Sequence, residues 1–291
     1  MLLAFFSLFQ YNAEVILFNG REEALKLDTR IREELEKNPV LKDSNNTLCI
    51  IMIGSNSSSG KYVDLKKRLC EKFGINVVVE EIDERLSDRE IVSRVGDLCQ
   101  KDYIKGVIIQ LPLPRPSLDS ILDLIPEEKD VDQISPQSIK KFYAEDFPKN
   151  NYNLKLSPVI RAFKYFLDYA KINVRNIETT IIGRGFLVGE PLGHFLLQQG
   201  AKVQFVLDYK ANLRLNCHLL VLSAGYPELV RGECISEKCN VVDFGSSVVN
   251  NKTIGDLDLN SAIGHLGFVS PSPGGMGPLV TRFLMMNFLG I

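Results

Sequence analysis

Hydrophobic and polar residues follow two alternating periods in the first half of this chain. Continuous apolar runs at 47–53, 75–79 and 106–109 predict buried strands. Amphipathic segments at 23–35, 59–73 and 88–99 have the helical period, and Ser87 precedes the last of them as a predicted N-cap. Strands and helices that alternate at this spacing favour parallel βαβ units.

A second alternation begins after a polar passage. Residues 135–153 are mostly polar and lack a clear period, so we interpret them as a linker. Beyond them, the pattern predicts an α/β protein that continues into a second domain. The predicted elements are helices at 158–169, 187–199 (closed by Gly200) and 279–288, and strands at 179–182, 203–207, 219–222 and 240–244.

The composition narrows the possible partners and compartments. With 291 residues, of which 45% are apolar, the chain is long enough for one large or two medium domains. A net charge of −2 provides neither a basic field for nucleic acid nor a polybasic patch for a membrane. The six cysteines form no Cys-x-x-Cys pair and have no histidines at zinc-ligand spacing. We therefore expect reduced thiols in a cytoplasmic protein without a metal.

The apolar residues 1–9 resemble the core of a signal peptide. They lack a basic segment before them and an obvious cleavage site after them, and they are too short to span a bilayer. We interpret residues 1–12 as an N-terminal extension, with an early start site or secretion as the alternatives.

Lys66 stands out because it lies in the middle of an apolar stripe. In a helix over 59–73, it shares one face with Tyr62, Val63, Leu69, Cys70 and Phe73. Burial disfavours the charged form of a lysine and lowers its pKa toward the range useful for proton transfer. Alternatively, the stem lies on the apolar surface and the ammonium reaches solvent.

Glycines mark the turn after the strand at 179–182. Gly183, Gly185 and Gly189 lie at a strand-to-helix junction, where phosphate groups can meet backbone N–H groups and the helix dipole. Asp208 ends the next strand, 25 residues after Gly183, where a carboxylate can bind the ribose hydroxyls of NAD. The alternative is that Asp208 only caps a turn.

Two further loops are rich in proline or glycine. Gln110 follows the strand at 106–109 and begins the passage Gln110-Leu-Pro-Leu-Pro114, at the strand end where open α/β sheets place their ligands. Residues 270–278 carry glycines and prolines immediately before the last helix, a composition that is also typical of simple turns.

Together these residues resemble the methylenetetrahydrofolate dehydrogenase/cyclohydrolase family. Five motifs occur in the order and spacing of that family and span about residues 15–288. They are Ser59-x-x-Tyr62-Val-x-x-Lys66, the run 107–114, Lys129-Asp-Val-Asp132, Gly183-Arg184 with Val188-Gly189-x-Pro191, and Pro273-Gly-Gly-Met-Gly-Pro278.

The resemblance implies a fold and an activity. The expected fold has an N-terminal three-layer α/β folate domain at 13–150 and a C-terminal Rossmann NAD(P)-binding domain at 151–278. The last helix, 279–291, is expected to return to the first domain. The implied enzyme is cytoplasmic and homodimeric. It oxidises 5,10-methylenetetrahydrofolate with NADP and hydrolyses the methenyl product to 10-formyltetrahydrofolate, without nucleic acid, membrane or metal.

The resemblance also implies roles for individual residues. Lys66 would be the proton-transfer group of the hydrolytic step, Gln110 would orient it, and Tyr62 would pack on the folate rings. Asp132 would bind the pterin N–H groups. The other implied folate contacts are Ser59, Ile109, Leu111, Pro273, Gly274, Gly275 and Gly277. The implied cofactor contacts are Gly183, Arg184, Gly185, Gly189, Asp208 and Ser246.

The chain departs from the family mainly in its nucleotide-binding half. Gly185 replaces a serine, and Leu207-Asp208-Tyr209-Lys210 replaces a His-Ser-Arg/Lys-Thr passage. The Asp208 carboxylate would repel a 2′-phosphate and accept a free 2′-OH, so NAD is an alternative to NADP, although Arg184 and Lys210 can pair with the phosphate. A cyclohydrolase with impaired hydride transfer and a non-catalytic paralogue that binds folate or a partner are two further alternatives.

Overall fold

The computed structural model describes residues 16–54, 57–144, 155–210, 213–250, 252–262 and 264–291. The α-helices are α1 (Gly20–Lys37), α2 (Ser57–Phe73), α3 (Asp88–Gln100), α4 (Pro136–Ala144), α5 (Pro158–Tyr169), α6 (Gly189–Gln198) and α7 (Met276–Leu289). The strands are β1 (Ile16–Leu17), β2 (Thr47–Ile53), β3 (Asn76–Ile82), β4 (Ile104–Ile109), β5 (Glu178–Ile182), β6 (Lys202–Val206), β7 (Leu219–Leu222), β8 (Val230–Arg231), β9 (Asn240–Asp243), β10 (Ser247–Val249), β11 (Lys252–Ile254), β12 (Leu257–Asp258) and β13 (Phe268–Ser270).

The first domain contains a parallel sheet of three strands in the order β3-β2-β4. Every residue of β2 is buried because both faces of the sheet are covered. Leu48 and Ile50 belong to one core with α1, α2 and α7, whereas Cys49 and Ile51 belong to a second core with α3 and the 3-10 helix Pro116–Leu124. The predicted three-layer arrangement is confirmed.

The second domain contains six parallel strands in the order β1-β13-β9-β7-β5-β6. Ile181 and Val221 share one core with α5 and α6, as expected of a Rossmann domain. On the opposite face, Ile182 and Leu220 pack against Tyr209 and other residues from segments that contain no α-helix in the described part of the chain.

The start of the described chain corrects the predicted organisation. The first domain was expected to begin at residue 13, yet β1 lies in the second sheet, where Ile16 pairs with Phe268 and Leu17 with Val269. Two residues are too few to show a period, so only the folded chain reveals this pairing. Residues 1–12, interpreted as an extension, lie outside the described residues.

The predicted linker is partly wrong, because Pro136–Ala144 form α4. Phe142 and Tyr143 of this helix pack edge-on against His194 of α6, with ring centroids 5.2 and 4.5 Å apart. Only Ser138 and Phe142 are buried in α4. Two buried positions make too short a stripe for the helical period to be recognised in the sequence. The rest of the linker prediction falls on 145–153, outside the described residues.

The last helix, α7, packs on α1 and α5, so the predicted return to the first domain is confirmed. The buried Asn287 fixes the C-terminal end of α7 through hydrogen bonds. Asn287 Nδ2 donates hydrogen bonds to the carbonyl oxygens of Val131 and Leu156, at 2.9 and 3.0 Å. The Arg161 guanidinium donates to Asn287 Oδ1 at 2.6 Å.

Several element boundaries differ from the prediction by a few residues. Helix α6 begins at Gly189 rather than at 187, because the preceding turn is closed by a hydrogen bond from Val188 N to Gly185 O of 3.3 Å. Strand β6 ends at Val206, so Asp208 lies beyond the strand. Helix α3 does begin after Ser87, and a complete capping box with Glu90 confirms that N-cap. In the described part of the chain, each helix is too short or too polar to cross a membrane.

Candidate active site

A cleft of about 1530 Å³ lies between the two domains. It is lined by α1, α2, the end of β4, the loop that carries Asp132, α4, the start of α5, the turn before α6, the loops after β9 and β13, and α7. The predicted site residues that line it are Tyr62, Lys66, Ile109, Gln110, Leu111, Asp132, Ser246, Pro273, Gly274 and Gly277.

Helix α2 delivers Tyr62 and Lys66 to this cleft. The apolar stripe predicted around them is buried at Val63, Leu69, Cys70 and Phe73. Tyr62 is 40% exposed because it faces the cleft, and Lys66 is half-buried. Ser59 lies in the first turn of α2, but its side chain is outside what the structure describes.

Lys66 is held by Gln110 at the end of β4. Lys66 Nζ donates a hydrogen bond to Gln110 Oε1 at 3.1 Å. The amide of Gln110 is oriented in turn, because its Nε2 donates to the carbonyl oxygen of Leu111 at 2.8 Å and its backbone N donates to Ile51 O at 2.8 Å. The predicted orienting contact between Gln110 and the lysine is therefore present.

For both Lys66 and Asp132, burial and the charge of the other residue shift the pKa in opposite directions. Burial lowers the pKa of the Lys66 ammonium, and the nearby charge of Asp132 raises it. Burial also raises the pKa of the Asp132 carboxyl, whereas the charge of Lys66 lowers it. The site therefore places a lysine that loses its proton more easily than usual beside a carboxyl that keeps its proton more readily than usual.

The loop that carries Asp132 is organised around the buried Asp130. The carboxylate of Asp130 accepts hydrogen bonds from the backbone N of Ile134 at 3.2 Å and of Ser135 at 2.8 Å. Gln133 has φ +59°, in the left-handed region that favours glycine, and its Nε2 donates to the carbonyl oxygen of Asp130. This side-chain hydrogen bond helps to hold a backbone conformation that glycine would adopt more easily.

The glycine turn in the second domain has no room for a side chain at two of its three glycines. Gly183 has φ +92°, and a Cβ there would lie 2.6 Å from Ser223 O. A Cβ on Gly189 would lie 2.1 Å from Gly183 O, whereas one on Gly185 would meet nothing. Two of the three glycines are thus required by a tight turn at the N-terminus of α6, where backbone N–H groups favour anions.

Not all of the predicted ligand residues line the main cleft. Gly183, Arg184, Gly185, Gly189 and Asp208 lie around the glycine turn and the end of β6, outside the cleft lining. Gly275 also lies outside it. A Cβ on Gly275 would lie 2.2 Å from Ser270 Oγ, so packing against β13 accounts for this glycine.

A hydrogen bond between two side chains crosses the cleft. The hydroxyls of Tyr62, in the first domain, and Ser246, in the second, are 2.5 Å apart. The family resemblance implies a folate contact for Tyr62 and a cofactor contact for Ser246, and the structure brings these two side chains together.

Sequence reasoning missed a buried carboxylate beside the cleft. Asp243, which ends β9 and lines the cleft, accepts hydrogen bonds from the backbone N of Gly245 at 2.8 Å, Asp256 at 3.2 Å and Leu257 at 3.0 Å. Burial raises its pKa to about 7 despite these three donors. Its position at the carboxyl end of a parallel strand was the only indication in the sequence.

A second buried carboxylate continues this network. Asp256 accepts hydrogen bonds from the backbone N of Ala224 at 2.6 Å and of Gly225 at 3.1 Å. The two carboxylates thus join the loops after β7 and β9 to the segment before β12, and so position the loop that carries Ser246.

Comparison with known proteins identifies the family. The catalytic-domain model of the tetrahydrofolate dehydrogenase/cyclohydrolases matches residues 18–132, and their NAD(P)-binding-domain model matches residues 159–291. A curated relative from Clostridium novyi, "Bifunctional protein FolD", is 31% identical over 272 residues, covering 90% of this chain and 95% of the relative. The FolD protein of Hydrogenobaculum is 28% identical over 280 residues, covering 94% and 97%.

A solved structure gives the same result. The bifunctional FolD methylenetetrahydrofolate dehydrogenase/cyclohydrolase of Campylobacter jejuni superimposes with a TM-score of 0.84 at 26% identity, over 95% of this chain and 98% of that one. The matched models together span both domains and include all five motifs quoted above. On this evidence the chain belongs to the tetrahydrofolate dehydrogenase/cyclohydrolase family.

Proposed function

We propose that this protein oxidises 5,10-methylenetetrahydrofolate with NADP and hydrolyses the resulting 5,10-methenyl compound to 10-formyltetrahydrofolate. One observation carries the proposal: Lys66 Nζ, whose pKa burial lowers, donates to Gln110 Oε1 at 3.1 Å inside a cleft shared by both domains. Family membership supplies the substrate class, and the chain's own residues supply the chemistry.

In the hydrolytic step, water adds to the methenyl carbon and the bond from that carbon to N5 breaks. One proton of the water ends on N5 and the other is released, so the step needs a group that accepts and returns a proton near neutral pH. A neutral Lys66 would take this role. Gln110 would keep its Nζ aimed at the reacting carbon, and Asp132 would accept hydrogen bonds from the pterin N–H groups.

In the oxidative step, the substrate and the nucleotide must meet face to face. When bound, NADP accepts the hydride from the methylene carbon. The residues that would hold it are Gly183, Arg184, Gly185, Gly189, Asp208 and Ser246. The tight glycine turn at the N-terminus of α6 and the position of Ser246 opposite Tyr62 support this assignment.

The remaining folate contacts are proposals of the same kind. Ile109, Leu111 and the loop carrying Pro273, Gly274 and Gly277 line the cleft, which supports their role. Ser59 and Gly275 are proposed from the resemblance alone. The domain limits 13–150, 151–278 and 279–291 are also proposed, with β1 reassigned to the second sheet.

We also propose a homodimer in the cytoplasm, as the family resemblance implies. The six cysteines are buried free thiols, which is compatible with a reducing compartment. NAD is the alternative cofactor because of the exposed Asp208.

A cyclohydrolase with weak hydride transfer is the second candidate function. It is favoured by Gly185, which has no hydroxyl to offer a cofactor, and by the ion pair that already occupies Arg184. The folate side of the cleft, in contrast, keeps Tyr62, Lys66 and Gln110 together.

A paired assay tests the proposal. Wild type, Lys66→Met and Lys67→Met are compared for hydride transfer to NADP and NAD, followed spectrophotometrically, and separately for methenyl hydrolysis. Lys67 is exposed on the same helix, so it controls for the loss of one charge. We expect Lys66→Met to lower hydrolysis by about 100-fold or more, because positioned proton transfer contributes that much, and Lys67→Met to leave it unchanged.

The outcomes separate the candidates. Hydrolysis without hydride transfer to either nucleotide in the wild type would favour the cyclohydrolase alone. Wild-type protein inactive in both assays would contradict the catalytic proposal and leave a non-catalytic paralogue.

A further inference from the structure

The guanidinium of Arg184, beside the glycine turn, is already engaged within the protein. Its Nη2 donates to Glu190 Oε1 at 3.0 Å, and its Nε donates to Glu190 Oε2. The same guanidinium lies over the ring of Phe205, with Cζ 4.9 Å from the ring centroid. Arg184 is thus held by a bidentate ion pair on one side and an aromatic ring on the other.

The fold brings these three residues together at the proposed nucleotide site. Arg184 follows Gly183 in the turn, Glu190 is the second residue of α6, and Phe205 is the penultimate residue of β6. Asp208 and Lys210 follow β6 and are exposed. In Rossmann domains, the end of this second strand faces the ribose that carries the 2′-phosphate of NADP.

The ion pair can be opened by a ligand. The side chains of Arg184 and Glu190 are 51% and 37% exposed, so solvent reaches both, and exposed ion pairs are weak. A phosphate can replace the carboxylate as a bidentate partner of the guanidinium. That replacement leaves the Glu190 carboxylate next to the phosphate, and the two like charges repel.

We propose that Glu190 is a selectivity residue, which competes with the 2′-phosphate for Arg184 and thereby reduces the preference for NADP over NAD. This inference rests on the nucleotide site of the proposed function. The Asp208 carboxylate, which lies beyond the end of β6, would repel the 2′-phosphate. Glu190 pairs with Arg184, the cation that would otherwise compensate for this repulsion.

Nucleotide binding tests this directly, because NADP and NAD differ only in the 2′-phosphate. Isothermal titration calorimetry with each nucleotide is compared for the wild type, Glu190→Gln, Arg184→Gln and Glu233→Gln. Glu233 forms the same kind of exposed pair with Arg231 in the same domain, at 3.0 Å, and lies outside the cleft lining. It therefore controls for the loss of one negative charge.

For Glu190→Gln we expect the Kd of NADP to fall about fivefold while that of NAD changes less than about twofold, because only the phosphate gains a free guanidinium. For Arg184→Gln we expect NADP to weaken about tenfold and NAD to change little. Glu233→Gln should behave as the wild type. Thermal unfolding of each variant establishes that it is folded.

Two results would overturn the inference while leaving the proposed function intact: an unchanged NADP-to-NAD ratio in Glu190→Gln, or weaker NADP binding in that variant, which would mean that Glu190 only positions Arg184. Failure of the folded wild type to bind either nucleotide would overturn both this inference and the proposed oxidative step.

Discussion

The hydroxyl of Tyr62 lies 2.5 Å from Oγ of Ser246, and this hydrogen bond joins α2 of the first domain to the loop after β9 of the second. The loop is held in turn by the buried carboxylates of Asp243 and Asp256. This contact between side chains that are 184 residues apart in the chain is one of those that set the distance between the proposed folate and nucleotide sites.

Tyr62→Phe and Ser246→Ala remove the same hydrogen bond from opposite sides. We expect each to lower kcat/KM for hydride transfer about fivefold, roughly 1 kcal/mol, and the double variant to be no worse than either single one. A double-mutant cycle in the NADP-dependent assay measures this coupling. If the two effects simply add, the residues act independently on their ligands and the contact itself has no role.

The pH dependence of hydrolysis should report the charge of Asp132. This charge raises the pKa of Lys66 against the effect of burial, so Asp132→Asn lowers that pKa further. Since the neutral amine accepts the proton, the rising limb of kcat against pH should move to lower pH. Asp64→Asn, which removes an exposed carboxylate from α2, the helix that carries Lys66, is the control. A limb that stays in place or moves upward would argue against Lys66 as the titrating group.

The buried Asp28 should contribute to the stability of the first domain through the two cations that it binds. It accepts hydrogen bonds from Arg282 of α7, at 2.8 and 3.2 Å, and from Lys72 of α2, at 2.6 Å. Asp28→Asn leaves the nearly buried Arg282 without its counter-charge, and we expect a loss of about 3 kcal/mol in urea unfolding. Asp83→Asn removes a carboxylate from an exposed pair with Arg85 and should change little.

The contribution of the Asp28 carboxylate to stability should be lost in acid. Burial would raise the pKa of Asp28, but the hydrogen bonds from Arg282 and Lys72 outweigh it and lower the pKa below 3.8. Its stabilising effect is therefore complete at neutral pH and is lost as the pH falls below the usual range of a carboxyl. Unfolding curves of wild type and Asp28→Asn should converge in acid, and a gap that persists there would show that charge is not the cause.

The contribution of Asp243 to the free energy of unfolding should have the opposite pH dependence. Burial raises its pKa from 3.8 to about 7, so the folded state binds a proton that the unfolded state has lost. The contribution of Asp243 to stability is present at low pH and decreases as the pH rises from about 4 to about 7, by up to roughly 4 kcal/mol. Asp243→Asn cannot titrate, so its free energy of unfolding should change less over that range. Parallel profiles for the two proteins would contradict the raised pKa.

Local patterns determined much of this protein from the sequence alone. The seven-residue apolar run of β2 and the amphipathic period of α5 place both elements at their observed bounds, because a side-chain period depends only on nearby residues. The N-cap at Ser87 followed for the same reason. The order and spacing of the motifs indicated the family, since each motif sits on one element or on one strand end, and the resemblance to that family implied the pairing of Lys66 with Gln110.

Only the tertiary structure decided the features that depend on distant partners. The two residues of β1 and the half-exposed α4 have too little local pattern to be recognised, and each is defined by the element it packs against. The bond between Tyr62 and Ser246 and the ion pair between Arg184 and Glu190 depend on how loops meet in space. Asp243 is buried only when several loops pack together, and this burial raises its pKa. Packing of this kind cannot be recognised from the spacing of residues in the sequence.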